Sequence, residues 1–172
     1  MFYSGHKKGH GLNFMGVVMT NGLLPFMSYA ALGKDHDSRA LTESGFNQKM
    51  RDLDRVTLRQ APPKKYVVYA DPAFPLGPHV QKGFQGILTP MQAQFNKQCN
   101  SNRVSVEWGS GYVLTCFAWN AYPKAHQVLM SPVNDHWHAA CILSNFKVCF
   151  EGNQVSAYFD CDPPGFDEYA AL

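Results

Sequence analysis

An α/β fold is predicted by the order of two kinds of pattern along the chain. Short runs rich in β-branched and aromatic residues lie within 12–32 and at 66–71, beside the Gly, Pro and Asn residues typical of turns. Apolar residues at helical spacing lie at 38–53 and occupy most of the chain after residue 89. The sequence therefore predicts a mixed sheet flanked by helices.

Composition narrows the class of protein. A length of 172 residues suits one domain, and an apolar content of 45% is enough for a packed core, which excludes a disordered tail. The net charge of +2 excludes a strong uniform field for nucleic acid, so any DNA-binding surface must be local. Five cysteines without a CxxC pair favour reduced thiols in an intracellular protein. No signal peptide and no run of membrane-span length is visible.

The first predicted element is an antiparallel hairpin. Residues 1–11 are expected to form a loop that leads into a strand at 12–19. Asn21-Gly22 is a strong hairpin-turn signal, and 23–32 is the partner strand. Pro25 limits the start of that second strand to an edge or a bulge.

A helix follows at 38–53, with Asp37 or Ser38 as its N-cap. Gly45 weakens this helix or splits it in two. The next strand, 66–71, ends on Asp71 and leads into a Pro/Gly-rich loop.

A long helix is predicted to start at Thr89, because Thr89-Pro90-Met91-Gln92 combines a capping box with proline at the first helical position. We expect it to run to about Trp119, with a break near Asn100.

The last helix spans 134–150 and ends at Gly152. The tail at 158–172 is expected to pack loosely. The predicted buried stripe of the last helix is Ala139, Ile142, Leu143, Phe146, Cys149 and Phe150.

Two carboxylates are the candidate metal ligands. Asp71 ends a strand, and Glu107 lies on the long helix 36 positions later, where Val104, Val106 and Trp108 favour an inward or cleft-facing position. Mg²⁺ prefers oxygen ligands from one or two carboxylates, as in sites of phosphoryl transfer. Two plainer interpretations stay open. Asp71 is also a good turn former beside Pro72, and Glu107 is also an ordinary solvated helix residue.

This order of elements resembles the ribonuclease-H-like core of DDE transposases, and within them the PIF/Harbinger transposase-derived nucleases. The resemblance covers nearly the whole chain, with Ala70 in place of the family's Gly and Phe74 in place of its Tyr. The similar motifs are Tyr3 to Lys8, Gly33 to Asp37 with Glu43-Ser44, Ala70 to Leu76, Phe95-Asn96 with Arg103 to Glu107, and Gly152 to Gln154 with Pro163-Pro164 before Glu168-Tyr169.

The resemblance implies cleavage of DNA by two divalent cations, Mg²⁺ or Mn²⁺, held by Asp, Asp and Glu. Asp71 matches the second ligand and Glu107 the third. The first ligand has no match, since no Asp or Glu precedes Asp35. We therefore expect a single, truncated catalytic domain over 1–172, with a core at about 1–120 and a C-terminal helix and tail at about 121–172. It would lack the first central strand and be inactive alone.

Several accessory roles stay open. Asp37 is an N-cap or a stand-in for the first carboxylate, and His36 approaches DNA phosphate or caps its loop. Side chains that would line a DNA path, or else are solvated surface charges, are Lys7, Lys8, Lys64, Lys65, Lys97 and Arg103. A zinc site and a Cys–His nucleophile lack any local signature.

Two functions from different classes remain. The first is a metal-dependent DNA endonuclease or transposase. The second is a non-catalytic domesticated or decayed transposase fragment that binds DNA or another protein. The resemblance also implies a nuclear location and a separate DNA-binding partner protein for target recognition. The sequence carries no indication of a membrane partner or of the oligomeric state.

Overall fold

A computed structural model describes residues 3–4, 9–10, 12–32, 37–59, 62, 64–121 and 132–171. The chain divides into two compact units. The first contains the described residues of Met1–Met15 and Ser28–Arg103, and the second those of Gly16–Met27 and Val104–Leu172. The predicted mixture of strands and helices is confirmed.

The strands of the described part are two residues long and pair into four two-stranded ladders, where one mixed sheet was expected. Three ladders are antiparallel, β1–β2, β3–β6 and β4–β5, and β7–β8 is parallel. The strands are β1 (Tyr3–Ser4), β2 (Gly9–His10), β3 (Leu12–Asn13), β4 (Gly16–Val17), β5 (Phe26–Met27), β6 (Ala31–Leu32), β7 (Val68–Tyr69) and β8 (Val80–Gln81).

The predicted antiparallel pairing within 12–32 is confirmed, although each strand is interrupted. At the interruption, the Met15 N–H donates to the Ser28 hydroxyl at 2.9 Å, and the Ser28 N–H donates to the Met15 carbonyl at 2.8 Å. The Ser28 hydroxyl oxygen therefore accepts the hydrogen bond from Met15 that a backbone carbonyl would accept in a regular ladder. The ladder β1–β2 and the strand β8 were not predicted, since 1–11 was expected to be a loop and a Pro/Gly-rich loop was expected after Asp71.

The turn at Asn21-Gly22 is confirmed. The Met19 N–H donates to the Leu23 carbonyl and the Gly22 N–H donates to the Met19 carbonyl, both at 2.9 Å. Gly22 has a φ of 85°, and its carbonyl accepts from the Asn153 side chain at 3.1 Å. An added Cβ would overlap the Asn153 amide, so this position requires glycine for two reasons.

Gly45 was expected either to weaken the predicted helix or to split it. The structure shows the split, into α1 (Asp37–Glu43) and α2 (Phe46–Thr57). Its φ of 78° is left-handed, which interrupts the helical backbone. The buried face of α2 is formed by Phe46, Met50 and Thr57.

The long helix α3 (Pro90–Cys116) begins with the predicted capping box. The Thr89 N–H donates to Gln92 Oε1 at 2.9 Å, and the Gln92 N–H donates to Thr89 Oγ1 at 3.3 Å. The predicted break near Asn100 is wrong, because the helix continues to Cys116 and a 3₁₀ turn (Ala118–Ala121) follows. The Asn100 side chain accepts from the Tyr69 hydroxyl at 3.3 Å and does not disrupt the helix.

The helix α4 (Val133–Glu151) matches its predicted span and ends at Gly152, which has a φ of 67°. The predicted buried stripe is wrong, since Ile142 is 51% exposed and Phe150 is 73% exposed. The buried residues of α4 are Ala140, Cys141, Ser144, Asn145 and Val148. The buried face of α4 therefore consists mostly of small side chains, which permit close packing, and bulky side chains such as Ile142 and Phe150 lie on the exposed face.

The core of the second unit brings α3 and α4 together with the β4–β5 turn. Its buried members are Leu24, Val113, Ala140 and Cys141, and Val18, Met27, Phe117 and Trp137 pack against them. An added Cβ on Gly109 would lie 2.8 Å from a Val18 methyl group. Glycine at this position therefore permits α3 to approach Val18 closely.

The C-terminal tail does not pack loosely as expected. It forms α5 (Gln154–Phe159) and α6 (Phe166–Ala170), and α6 packs on α4. The Phe166 ring contacts Phe146 and Phe150, with centroid distances of 5.4 and 5.0 Å. Among the described helices, none has the combination of length and apolar composition needed to cross a bilayer.

Asn145 links three segments of the second unit, and its removal should be costly. Its Oδ1 accepts from the Leu24 N–H at 2.9 Å, and its Nδ2 donates to the Leu24 carbonyl at 3.1 Å and to the Tyr169 hydroxyl at 2.9 Å. Asn145→Ala leaves buried peptide groups unsatisfied, so we expect a loss of about 2–4 kcal/mol of unfolding free energy. Tyr169→Phe removes one of these bonds and should cost about 1 kcal/mol. Urea denaturation measures both, and an equal cost would contradict this role.

Two glycines of α3 form a matched pair for a second stability test. Gly111 has open space where a Cβ would be added, whereas Gly109 faces Val18. Gly111→Ala should stabilise the protein by about 0.5–1 kcal/mol through helix propensity. Gly109→Ala should destabilise it by about 1–2 kcal/mol, because overpacking exceeds that gain. Thermal unfolding compares the two variants, and stabilisation by both would rule out the close packing at Gly109.

Candidate functional site

Asp71 lies two residues after β7, at the start of the connection to β8. The parallel pairing is held by bonds from the Val68 N–H to the His79 carbonyl and from the Ala70 N–H to the Gln81 carbonyl, both 2.8 Å. Asp71 Oδ1 accepts from the Ala73 N–H at 3.0 Å, which makes a turn closed by the side chain. The structure therefore places Asp71 at a strand end as predicted, and also gives it the turn-forming role.

The second oxygen of Asp71 has a cationic neighbour. Arg103 Nη1 on α3 lies 3.4 Å from Asp71 Oδ2. The two side chains are 38% and 46% exposed, so the pair is screened by solvent and contributes little to stability. Asp71 was predicted to be a metal ligand and Arg103 to line a DNA path, and their pairing across 32 positions has no local signal in the sequence.

The strand that precedes Asp71 is attached to the N-terminal half of α3. The Tyr69 hydroxyl donates to Asn100 Oδ1 at 3.3 Å, and the Tyr69 ring lies 6.3 Å from that of Phe95. Burial raises the pKa of the Tyr69 hydroxyl, with a further contribution from Cys99, so the phenol stays neutral and donates near neutral pH. The motif Phe95-Asn96 thus has a structural role that the sequence did not reveal.

Asn96 makes a two-point contact with the backbone of Phe84. The Phe84 N–H donates to Asn96 Oδ1, and Asn96 Nδ2 donates to the Phe84 carbonyl, both at 2.9 Å. An added Cβ on Gly83 would lie 3.0 Å from Asn96 Oδ1. This contact ties the segment after β8 to α3.

Glu107 lies on α3, four positions after Arg103, and belongs to the second unit. Positions four apart share one face of a helix. Glu107 was predicted to be inward or cleft-facing. Its side chain is exposed, and the buried residues of α3 are Ser105, Gly109 and Val113, so the inward position is wrong and the cleft-facing position stays a prediction. Exposure leaves its carboxylate accessible to a ligand. A shared cation with Asp71 stays a prediction.

The other predicted site residues are distributed as follows. Asp37 is the first residue of α1, and Lys97 is exposed on α3. Lys64 and Lys65 are exposed, whereas Lys7, Lys8 and His36 lie outside the described residues. Across the described part of the chain, no three His, Cys, Asp or Glu side chains form a group that could hold a metal ion. Asp71 and Glu107 are nevertheless hard oxygen donors, whose chemistry fits Mg²⁺ or Mn²⁺.

One polar cluster, absent from the sequence prediction, joins α3 and α4. The Tyr112 hydroxyl donates to Glu151 Oε1 at 2.8 Å, and Lys147 Nζ lies 3.2 Å from the same oxygen. Burial and then the bond to Glu151 raise the pKa of Tyr112, while the Tyr112 and Lys147 contacts lower the pKa of Glu151. These shifts favour a neutral phenol bonded to a carboxylate, which is a link between helices.

Cys141 is the buried cysteine among the five thiols of the chain. All five are free thiols. Burial raises the pKa of Cys141 to about 11, which disfavours the reactive thiolate.

Comparisons with known proteins place the chain in a family. The family model described as DDE superfamily endonuclease matches residues 1–145, which is most of the 172-residue chain. Comparisons with curated proteins and with solved structures gave no significant match. Together with a strand-end Asp71 and a helix-borne Glu107, this match leads to one conclusion: the chain belongs to the DDE superfamily endonucleases.

Proposed function

We propose that this chain is the nuclease domain of a Harbinger-type transposase-derived protein, and that it cuts DNA phosphodiesters with Asp71 and Glu107 as ligands of Mg²⁺ or Mn²⁺. The observation that carries the proposal is the place of Asp71 at the end of β7, on a strand attached to α3 through Tyr69 and Asn100. Glu107 is an exposed carboxylate of the same helix. The family match supports DNA as the substrate. A nuclear location follows as part of the proposal.

The protein's own residues would contribute in distinct ways. A bound divalent cation would polarise the scissile phosphate and lower the pKa of the attacking water. The Ala73 N–H fixes the orientation of the Asp71 carboxylate through Oδ1. Arg103, next to Oδ2, presents a planar fork of donors suited to phosphate oxygens, and would position the DNA backbone beside Asp71.

Two carboxylates hold a divalent cation weakly, and the resemblance implies three. We therefore propose that these 172 residues bind the cation with low affinity and are inactive or nearly inactive alone, so that any nicking by them is slow. Asp37, in the first turn of α1, remains the candidate stand-in that the sequence offers.

A second candidate function, a non-catalytic module that binds DNA or another protein, is favoured by one contact. In the absence of a metal ion, the Arg103 guanidinium partly offsets the charge of Asp71, since the two groups are 3.4 Å apart. The Asp71 carboxylate is also partly exposed to water, so a stable fold does not require a metal ion beside it. The two functions differ in whether Asp71 matters for DNA cleavage.

The proposed ligands can be tested by Mn²⁺ binding and by nicking of supercoiled plasmid. Asp71→Asn and Glu107→Gln should each weaken Mn²⁺ binding and reduce nicking at least about tenfold, because each removes a charged oxygen ligand. Asp135→Asn and Glu168→Gln, which alter exposed carboxylates on α4 and α6, are matched controls and should leave both quantities unchanged. If Asp71→Asn and Glu107→Gln bind Mn²⁺ as the wild type does, the assigned site is wrong.

Arg103 provides a separate prediction, because it competes with a cation for Asp71. Arg103→Gln should tighten Mn²⁺ binding roughly two- to fivefold, as expected for the loss of a partly exposed ion pair. The Arg39→Gln variant removes the Glu43 pair on α1, at 2.8 Å, and serves as the control. Electron paramagnetic resonance of free Mn²⁺ measures the affinity. Weaker binding in Arg103→Gln would show that Arg103 supports the cation site instead of opposing it.

A further inference from the structure

The positive charge of the chain is concentrated in one short segment. Residues 46–65 contain six basic and two acidic residues, which gives a charge of +4. The remaining nine basic and eleven acidic residues give −2, against a total of +2 for the chain. The segment consists of α2 and the residues that follow it, and any local affinity for a polyanion should arise there.

Within this segment, two arginines lie on the solvent side of α2 and a third follows the end of the helix. Arg51 and Arg55 are four positions apart and share a helical face, and Arg59 follows four positions later, just after the helix ends. All three are exposed. The opposite side of α2 buries Phe46 and Met50. We call Arg51, Arg55 and Arg59 the α2 arginine stripe.

The acidic residues of α2 do not cancel this charge. Asp54 is directed to the interior, where its Oδ2 lies 3.5 Å from Nε2 of His79, and its side chain is only 18% exposed. Asp52 is the one exposed carboxylate of α2, and it accepts from Gln48 Nε2 at 3.0 Å and from Arg55 Nη1 at 2.8 Å. The net charge presented by the solvent face of α2 is therefore positive.

A chain of side-chain hydrogen bonds orients two of the guanidinium groups. Gln48 donates to Asp52 and accepts from Arg51 Nη2 at 2.8 Å, while Asp52 also holds Arg55. These contacts are at the surface and weak, so they bias the orientation of the two guanidinium groups and can be exchanged for contacts to a ligand. Such a bias reduces the entropy cost of binding.

We propose that the α2 arginine stripe binds the phosphate backbone of duplex DNA. This inference rests on the proposed function for the identity of the polyanion. Residues four apart in a helix rise by about 6 Å, close to the axial rise of about two successive phosphates on one DNA strand. Arginine forks match phosphate geometry, and exposed Lys64 and Lys65 extend the basic surface beyond the stripe.

The stripe is also attached to the segment that contains Asp71. His79, which α2 contacts through Asp54, closes the connection between β7 and β8 that begins beside Asp71. Asp71 and the stripe belong to the same compact unit. DNA held on α2 would therefore be bound to the unit that carries the proposed metal ligand.

The test measures binding of the full 172-residue chain to labelled duplexes of about 25 base pairs in EDTA, by fluorescence anisotropy at several salt concentrations. The triple variant Arg51→Gln, Arg55→Gln and Arg59→Gln should bind at least about tenfold more weakly than the wild type. The slope of log K against log salt should fall by about three, since each lost phosphate contact contributes about 0.9. Two unrelated DNA sequences should show the same loss.

The control variant combines Arg39→Gln, Lys147→Gln and Gln154→Glu, which lowers the net charge by the same three units at exposed positions outside α2. It should bind within about twofold of the wild type. The proposal would be overturned if both triple variants lost the same amount of binding, if the stripe variant bound as the wild type does, or if the wild type did not bind. It would also be overturned if polyglutamate, an anionic polymer without phosphates, displaced the protein as well as unlabelled DNA does.

The outcome is independent of catalysis because EDTA removes the cation. If the stripe variant loses DNA binding while Asp71→Asn leaves both binding and nicking unchanged, the stripe is supported and the proposed active site fails. If Asp71→Asn abolishes nicking while the stripe variant binds normally, the active site is supported and the stripe is overturned.

Discussion

Every peptide group removed from water needs a hydrogen-bond partner, and strands of two residues cannot supply enough of them. Asparagine side chains fill this role in both units. Asn145 pairs with both the N–H and the carbonyl of Leu24 in the second unit, and Asn96 pairs in the same way with Phe84 in the first. An asparagine side chain offers a carbonyl acceptor and an N–H donor, the same two groups that a neighbouring strand would offer to a backbone N–H and carbonyl. Asparagines on a helix can therefore hold an irregular segment against that helix.

This arrangement determines how the candidate site is supported. Asn96 and Asn100, one helical turn apart on α3, contact Phe84, three residues after β8, and Tyr69, the last residue of β7. Asp71 is therefore positioned by a strand end, a side-chain-closed turn and a helix, instead of by a wide sheet. The Arg103 ion pair is added at the surface, where solvent makes it weak and exchangeable. A phosphate or a cation can compete for such a pair at little energetic cost.

The candidate site was partly accessible to sequence analysis. Asp71 and Glu107 were placed on the correct kinds of element, because a strand ending in Asp and a capped helix have local signatures. The sequence left open whether Glu107 faces inward, faces a cleft or is solvated, since apolar neighbours such as Val104 and Trp108 do not show which face of a helix is buried. The pairing of Asp71 with Arg103 and the orientation of the α2 arginines depend on contacts between distant or folded segments. No pattern of spacing encodes those contacts.

By itself, the sequence determined the features that depend on a few contiguous residues. These include the capped start of α3 at Thr89, the split at Gly45, the turn at Gly22 and the end of α4 at Gly152. Only the tertiary structure decided that α4 buries Ala140 and Asn145 while Ile142 is exposed, and that α6 packs on α4. A cap or a turn is formed by local hydrogen bonds and backbone angles. The choice of a buried face depends on the shape and polarity of what packs against it, which comes from elsewhere in the chain.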